Sequence, residues 1–141
     1  MKRGLLLFAV LALGIFLVAC TPTPKVVEEL AGEENAGLNQ DSTIKITADS
    51  FEPKTLTVKT GTTVTFMNED SDQHWPASAM HPTHAAYPGS NIKKCGTEEK
   101  IFDACKGIGQ GESFSFTFNE KGSWRYHDHL DLSLTGTIVV E

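Results

Sequence analysis

From Thr43 onward, apolar and polar residues alternate along the chain in short runs. The period is two, which is the repeat of a β-strand with one buried face. Turn-forming segments separate the runs, namely EPK, KTG, NEKGS and LTG. Short strands separated by regular turns predict an all-β domain, a sandwich or a barrel. The residues predicted to face its core are Ile44, Ile46, Leu56, Val58, Val64, Phe66, Phe114, Phe116, Phe118, Trp124, Tyr126, Ile138 and Val140.

The alternation fails over residues 77–110, a long insertion that carries His81 and His84. Within it, the segment TEEKIFDACK (residues 97–106) predicts a short helix, with Thr97 as the N-cap and two glutamates in the first turn. An irregular insertion of this length in a compact domain is usually functional. We therefore expect part of the functional site to lie in this insertion.

Two segments precede the predicted domain. A positive N-terminus, Met1-Lys2-Arg3, is followed by an uninterrupted apolar run, which indicates an export signal over residues 1–19. A transmembrane anchor is the alternative, although the run is at the short end of the roughly 17–25 residues that span a bilayer. Residues 20–42 are rich in Pro, Glu, Gly and Asn, which predicts a flexible linker. The folded domain is then predicted over residues 43–141.

The segment LVAC, residues 17–20, resembles the lipobox of bacterial lipoproteins. The resemblance implies cleavage before Cys20 and lipidation of that cysteine. The domain would then be anchored to a membrane outside the cytoplasm, in the periplasm or at the cell surface. In such a compartment Cys95 and Cys105 would by default form a disulfide. A metal site built from these thiolates with histidine is the alternative.

The charge of the chain argues against nucleic acid as a partner. Without Lys2 and Arg3, 10 basic residues stand against 18 acidic residues. A chain this acidic repels the phosphate backbone of nucleic acids. The same negative charge favours solubility and suits cationic partners.

All five histidines lie between His74 and His129, and two of them form a His-x-His pair, His127 and His129. Because residues i and i+2 share one face of a strand, this pair can chelate one metal ion. Alternation points the pair away from the face that Trp124 and Tyr126 present to the core.

The two histidines of the insertion provide partners for this pair. We predict that the insertion folds over the outer face of the strand. His81 and His84 would then join His127 and His129 in one site.

Two further segments resemble the cupredoxin (plastocyanin-like) family. The first, FEPKTLTVKTGTTVTFMNEDSDQH, holds the V-x-F-x-N-x-D pattern that leads to the family's first copper-binding histidine, which implies His74 as a ligand. The second, GSWRYHDHLDLSLTGTIVV, is similar to the family's closing segment. Together they cover nearly the whole domain. The resemblance implies a Greek-key β-sandwich or barrel that binds copper, interrupted here by the long insertion with its short helix.

The closing segment departs from the blue-copper pattern. With Tyr126 and Gly136 aligned, Asp128 stands at the position of the copper-binding cysteine, Asp131 at that of the histidine and Leu134 at that of the methionine. Since a blue site depends on its copper–thiolate bond, the departure predicts a non-blue copper with nitrogen and oxygen ligands.

The segment SWRYHDH also resembles the WYHSH signature of multicopper oxidases, in which a His-x-His pair reaches coppers between domains. The remaining domains and histidine motifs of those enzymes are not found in this sequence. Oxidase activity is therefore not implied.

The sequence thus predicts a metal site for copper, with zinc as the alternative. Three further residues are candidates near it. Asp128 is an oxygen ligand, an acceptor that orients a histidine, or a cap for the following turn. Asn68 is expected to hydrogen-bond across the loops behind the site, and Met80 either is a soft ligand or fills space. The candidate ligands are His74, His81, His84, His127 and His129.

The predicted function is copper handling or electron exchange at a membrane surface, with a redox or copper-transfer protein as partner. An electron carrier for a membrane oxidase or reductase is one alternative. A small copper enzyme for superoxide or nitrogen-oxide chemistry is another. We assign no catalytic residue, because no nucleophile or acid–base pair specific to a substrate stands out.

Overall fold

The computed structural model of the protein describes residues 42–141. The predicted export signal, Cys20 and almost all of the predicted linker lie outside these residues. Within them, no helix is long and apolar enough to cross a membrane. The strands of the described chain are β1 (Thr43–Ile46), β2 (Phe51–Glu52), β3 (Thr55–Val58), β4 (Thr62–Asn68), β5 (Pro76–Ser78), β6 (Ser113–Phe118), β7 (Gly122–Asp128) and β8 (Thr135–Val140).

The strands form two four-stranded sheets, ordered β2-β1-β4-β6 and β3-β8-β7-β5. Each sheet holds one parallel pair, β1 with β4 and β3 with β8, and its other neighbours are antiparallel. The chain crosses repeatedly between the sheets. The predicted all-β architecture is confirmed.

Aromatic rings fill the centre of the core. The ring of Phe66, on β4, meets Phe51 and Tyr126 edge-on, with centroids 6.3 and 5.2 Å apart. Phe102, from the insertion, is fully buried and lies 5.7 Å from Phe66 between centroids. Burial of one such side chain contributes roughly 1.5–3 kcal/mol. Among the core residues predicted from alternation, those only partly buried are Phe114, Phe116 and Trp124.

Tyr126 on β7 covers Gly136, its register partner on β8. A Cβ atom at Gly136 would overlap the hydroxyl and ring of Tyr126, so this position has room only for glycine. The Tyr126 hydroxyl is buried and has no hydrogen-bond partner among the described residues. Burial raises the pKa of Tyr126, so the phenol stays protonated.

The helix predicted over residues 97–106 is wrong. The helical segment of the described chain is instead a 3₁₀ turn at Ile92–Lys94. Its cap is Asn91, whose side chain accepts a hydrogen bond from the Lys93 amide at 3.0 Å. Thr97 does accept a hydrogen bond from a following amide, but no helix begins there.

The segment after Thr97 runs extended beside β5 instead of coiling. The amide of Ser78 donates to the Phe102 carbonyl at 2.8 Å, and the amide of Ala104 donates to the Pro76 carbonyl at 3.0 Å. Burial of the Phe102 side chain and pairing with β5 together outweigh the local helix signals, because tertiary packing overrides weak propensity.

The predicted disulfide between Cys95 and Cys105 is confirmed. It joins Cα atoms 5.4 Å apart across a sequence separation of 10 residues. Neither sulfur is therefore a free thiolate for metal. The bond closes a loop of the insertion, and Asp103 lies inside that loop.

Candidate metal centre

Four of the five histidines converge on one place. Each of them offers a ring nitrogen, and these four nitrogen atoms lie within 4.8 Å of one another. We call this set the four-histidine group, and its members are His81, His84, His127 and His129.

Strand pairing explains why the insertion reaches the His-x-His pair. β5 pairs with the end of β7, so that Ala77 is the register partner of His127. The chain leaving β5 stays close, since the Ala79 amide donates to the Arg125 carbonyl at 2.9 Å. Just beyond β7, the His129 amide donates to the Trp75 carbonyl at 2.8 Å. The loop that carries His81 and His84 therefore begins beside the pair, as the sequence predicted.

His84 is the most firmly held member of the group. Its side chain is completely buried, and its backbone has a φ of 55°, in the left-handed region. A non-glycine residue holds that conformation at a cost of roughly 1–3 kcal/mol, so surrounding contacts must fix it. One contact is made by Nδ1, which lies 2.6 Å from Oδ2 of Asp103. The other ring nitrogen, Nε2, lies 3.0 Å from Nδ1 of His129.

Asp103 organises this side of the site. Besides His84, it accepts hydrogen bonds at Oδ1 from the Trp75 indole N–H at 2.6 Å and from the Cys105 amide at 2.7 Å. A carboxylate behind a metal-binding histidine fixes the tautomer and makes the free nitrogen a better ligand. Sequence reasoning missed Asp103, because the helix predicted over residues 97–106 gave it no place near a histidine. The available signal was its position two residues before a cysteine of the histidine-bearing insertion.

The ring of His127 is buried, and its Nε2 atom has no hydrogen-bond partner among residues 42–141. Burial, followed by the neighbouring His84, His81 and His129, lowers the pKa of His127 to about 4. Burial, followed by the neighbouring His84 and His81, also lowers the pKa of His129. These two imidazoles are therefore neutral near pH 7, which is the form that binds metal.

The group has the dimensions of a metal site. Metal–nitrogen bonds of 2.0–2.1 Å in a tetrahedron place neighbouring nitrogens about 3.3 Å apart. The 3.0 Å between His84 Nε2 and His129 Nδ1 is close to that value. A ligand set made of imidazoles suits copper and zinc alike. A buried polar atom normally has a hydrogen-bond partner. The unpartnered Nε2 of His127 is therefore consistent with an atom that binds a metal ion.

His74 does not belong to the four-histidine group. Its Nδ1 lies 2.5 Å from Oδ2 of Asp128, and its Nε2 lies 3.2 Å from Oδ2 of Asp70. Burial acts to lower the pKa of His74, but the hydrogen bonds to Asp128 and then Asp70 outweigh it, so that the pKa is raised. The role of His74 as a metal ligand stays a prediction, and the structure places both of its ring nitrogens against carboxylates.

Asp128 combines two of the roles considered for it. It is fully buried, and its Oδ2 meets the ring of His74. Its Oδ1 accepts from the Trp75 and Leu130 amides, each at 2.9 Å, and so caps the turn after β7. Asp128 is not part of the four-histidine group, although it separates His127 from His129 in the chain.

Asn68 makes the predicted contacts across the loops. Its Nδ2 donates to the Asp72 and Ile108 carbonyls at 2.7 and 2.9 Å, and its Oδ1 accepts from the Asp70 amide at 2.8 Å. The side chain thereby fixes the loop that carries Asp70 and His74.

Met80, a candidate ligand, and Asp131, which is aligned with the family's histidine ligand, both lie at the surface. Met80 is 65% exposed, so space-filling in the core is not its role. Asp131 is exposed and accepts hydrogen bonds from the amide and hydroxyl of Ser133 at 2.9 and 2.6 Å, which makes it a turn residue.

The chain matches a family model along residues 39–141, and the model is described as copper binding proteins, plastocyanin/azurin family. The chain belongs to this family. It is 30% identical to a plastocyanin from Scenedesmus fuscus over 72% of this chain and 100% of that protein. It is 29% identical to a chloroplastic plastocyanin from Chlamydomonas reinhardtii over 72% of this chain and 68% of that protein.

The fold is shared with solved cupredoxins. A structure described as a novel purple cupredoxin from Nitrosopumilus maritimus superposes with a TM-score of 0.55 at 24% identity, over 72% of this chain and 100% of that one. The all-β cupredoxin fold predicted from the sequence is therefore confirmed. Copper is the metal that the plastocyanin/azurin family binds.

Proposed function

We propose that this plastocyanin/azurin family member binds copper through the four-histidine group and exchanges copper or an electron with a partner protein outside the cytoplasm. One observation carries the proposal, namely that four imidazole nitrogens lie within 4.8 Å of one another. Bound copper supplies the ability to change between two oxidation states. The chain supplies the four donors, the lowered pKa of His127 and His129, and the carboxylate of Asp103 behind His84.

The proposed site is non-blue. The chain has three cysteines, of which Cys95 and Cys105 are joined to each other and Cys20 precedes the described domain. No thiolate of residues 42–141 is therefore available for copper, and an intense copper–thiolate band is not expected.

We infer that a hydrogen-bonded pair stands in place of the blue-copper site. In the resemblance to cupredoxins, His74 takes the position of the first histidine ligand and Asp128 that of the cysteine. These side chains are buried and 2.5 Å apart, with Asp70 on the other side of His74. A metal between His74 and Asp128 would have to separate them. The four-histidine group, built on the outer face of β7 together with the insertion, offers the ion a set of donors that are not already paired with carboxylates, apart from His84.

Two observations support a location outside the cytoplasm. The Cys95–Cys105 disulfide is typical of oxidising compartments. The apolar run before Cys20 and its LVAC sequence resemble the leader of a bacterial lipoprotein. We propose that lipid on Cys20 anchors the domain to a membrane, with residues 20–42 as the tether.

Exchange with a partner is supported by the surface around the site. His81 is exposed, so one donor of the group reaches solvent. Three large apolar side chains are exposed in the segments that flank the donors, namely Met80 (65%), Leu130 (53%) and Leu132 (54%). Exposed apolar side chains next to a functional group are typical of a contact surface for another protein.

A small copper enzyme is the second candidate function. It is favoured by a pocket of about 420 Å³ that shares His81 and His127 with the four-histidine group. A pocket of this volume is within the range that accommodates small molecules.

Metal analysis tests the proposed site. After copper loading and removal of the excess, the native domain is expected to hold one copper ion, and the His127→Ala/His129→Ala variant is expected to hold none. His74→Gln is the matched control, because it removes the histidine that lies outside the group, and it is expected to keep its copper if circular dichroism shows it folded. Unchanged copper content in the double variant would contradict the site.

Transfer experiments separate the two roles. Rapid oxidation and reduction of the bound copper by small redox reagents, without metal loss, is expected for electron exchange. Fast loss of copper to a chelator of moderate affinity is expected for copper handling.

A further inference from the structure

A pocket runs along the outer face of β7 and ends at the four-histidine group. Its volume is about 420 Å³. Arg125 and His127 lie on this wall, His81 and Met80 come from the insertion, and Leu132 comes from the turn before β8. Two of the four donors therefore line the pocket, so an ion bound by the group borders it.

Arg125 supplies a positive charge inside this pocket. It is exposed, and its guanidinium makes no ion pair or hydrogen bond with any residue of the described chain. Because Arg125 and His127 are two residues apart on one strand, their side chains share a face and their Cα atoms are about 6.6 Å apart. The net charge of the whole chain is −6, so an unpaired cation at this place is not part of a generally basic surface.

The donor set adds to this charge. Four neutral imidazoles leave the double charge of a cupric ion without a compensating ligand. Among the described carboxylates, Asp103 is the one that contacts a donor of the group, through His84. Asp103 also binds the indole of Trp75 and does not line the pocket. With copper bound to the four-histidine group, the pocket would have a metal cation at one end and a guanidinium nearby, and its lining holds no acidic residue.

We propose that this pocket is a binding site for a small anion, whose donor atom would add to the copper as a fifth ligand beside His81 and His127 while the guanidinium of Arg125 holds its charge. The inference rests on the proposed copper site. The ligand class is a small monoanion with room for a short apolar body, since the pocket is larger than a single diatomic or triatomic ion needs.

Azide is the probe for this site. The copper-loaded domain is titrated with sodium azide at constant ionic strength, and binding is followed by the azide-to-copper charge-transfer absorbance and by electron paramagnetic resonance. We expect Arg125→Gln to weaken azide binding about tenfold, which is the effect of losing one charge-assisted hydrogen bond. Arg125→Lys is expected to recover most of the affinity, because it restores the charge without the planar fork.

Lys59→Gln is the matched charge control. Lys59 directly follows Val58, the last residue of β3, and Val58 pairs with Val140 at one end of β8. His127 pairs with Thr135 at the other end of β8, so Lys59 lies far from the proposed copper site. At that distance a lost charge is screened by salt, so azide affinity is expected to change by less than about twofold.

The outcomes distinguish the pocket from the copper site. An equal azide affinity in the Arg125→Gln and Lys59→Gln variants, both holding one copper, would overturn the anion site and leave the proposed function standing. Spectra of the copper-loaded domain that do not respond to azide would do the same. Failure of the native domain to hold copper would overturn both.

Discussion

Asp103 holds the ring of His84 through a 2.6 Å contact between Oδ2 and Nδ1, with both side chains completely buried. This contact joins the disulfide-closed loop to the proposed metal centre. It leaves Nε2 of His84 to face the other imidazoles. The disulfide-closed loop thereby fixes the orientation of the His84 ring.

Removal of the Asp103 carboxylate should weaken copper binding. Asp103→Asn keeps the size of the side chain but loses the charge that orients His84, and changes of this kind lower metal affinity by roughly 10–100-fold. Competition with a copper chelator measures the affinity. Asp131→Asn is the control, since Asp131 serves an exposed turn and its replacement is expected to leave copper affinity unchanged. Equal affinities of the two variants would contradict the role of Asp103.

The disulfide should contribute mainly to stability. Replacement of Cys95 and Cys105 by serine opens a loop with a sequence separation of 10 residues, and the expected loss in the free energy of unfolding is about 2–3 kcal/mol. Urea denaturation of the metal-free domain measures this loss. A smaller decrease in copper affinity should accompany it, because the Cys105 amide donates to Asp103. An unchanged unfolding midpoint would show that the loop is held by its packing alone.

The stability of the metal-free domain should fall as the pH is lowered through the range of His127. Burial and the neighbouring histidines lower the pKa of His127 from its usual value of 6.5 to about 4. A histidine with a lowered pKa contributes stability that is present above pH 6.5 and is lost as the pH falls toward 4, because only the unfolded chain binds the proton in that window.

His127→Asn tests this assignment, because asparagine keeps a polar side chain without titrating. Urea denaturation between pH 4 and 7 is expected to show a flatter pH dependence in this variant than in the native domain. His74 acts in the opposite direction. The stability from its raised pKa is present below pH 6.5 and is lost as the pH rises. An identical slope in the native domain and the His127→Asn variant would contradict the lowered pKa.

The contact of Tyr126 with Gly136 predicts different effects on the free energy of unfolding for a substitution at each residue. Tyr126→Phe removes a buried hydroxyl that has no partner among the described residues, so the free energy of unfolding should not fall. Gly136→Ala places a methyl group against the Tyr126 ring and should destabilise by about 1–3 kcal/mol. Chemical denaturation of the two variants measures both effects. A loss of stability in Tyr126→Phe would reveal a partner for the hydroxyl.

The parts that the sequence predicted follow from simple periodicities. Alternation identified core residues such as Phe66 and Tyr126, since a strand with one buried face must repeat every two residues. The i, i+2 spacing of His127 and His129 predicted that both face away from the core. The structure brings His81 and His84 to this pair, although His129 lies one residue beyond the end of β7. The disulfide followed from two cysteines in a predicted oxidising compartment.

The parts that the sequence did not predict depend on contacts between distant segments. Residues 97–106 carry local helix signals, but burial of Phe102 beside β5 decides their conformation. Asp103 reaches His84 because the segment is extended beside β5. The helix predicted for this segment did not place Asp103 near a histidine, so its role was missed. The pairing of His74 with Asp128 joins residues 54 positions apart, and no local pattern announces it.

The most direct test of the central claim counts the imidazoles on copper. The domain is produced with nitrogen-15 in its histidines alone and loaded with one equivalent of Cu(II), and the nitrogen couplings are read by electron paramagnetic resonance. We predict a type-2 spectrum with coupling to histidine nitrogens that is lost in the His127→Ala/His129→Ala variant and kept in His74→Gln. A spectrum with an intense copper–thiolate band, or couplings that survive in the double variant, would contradict the account.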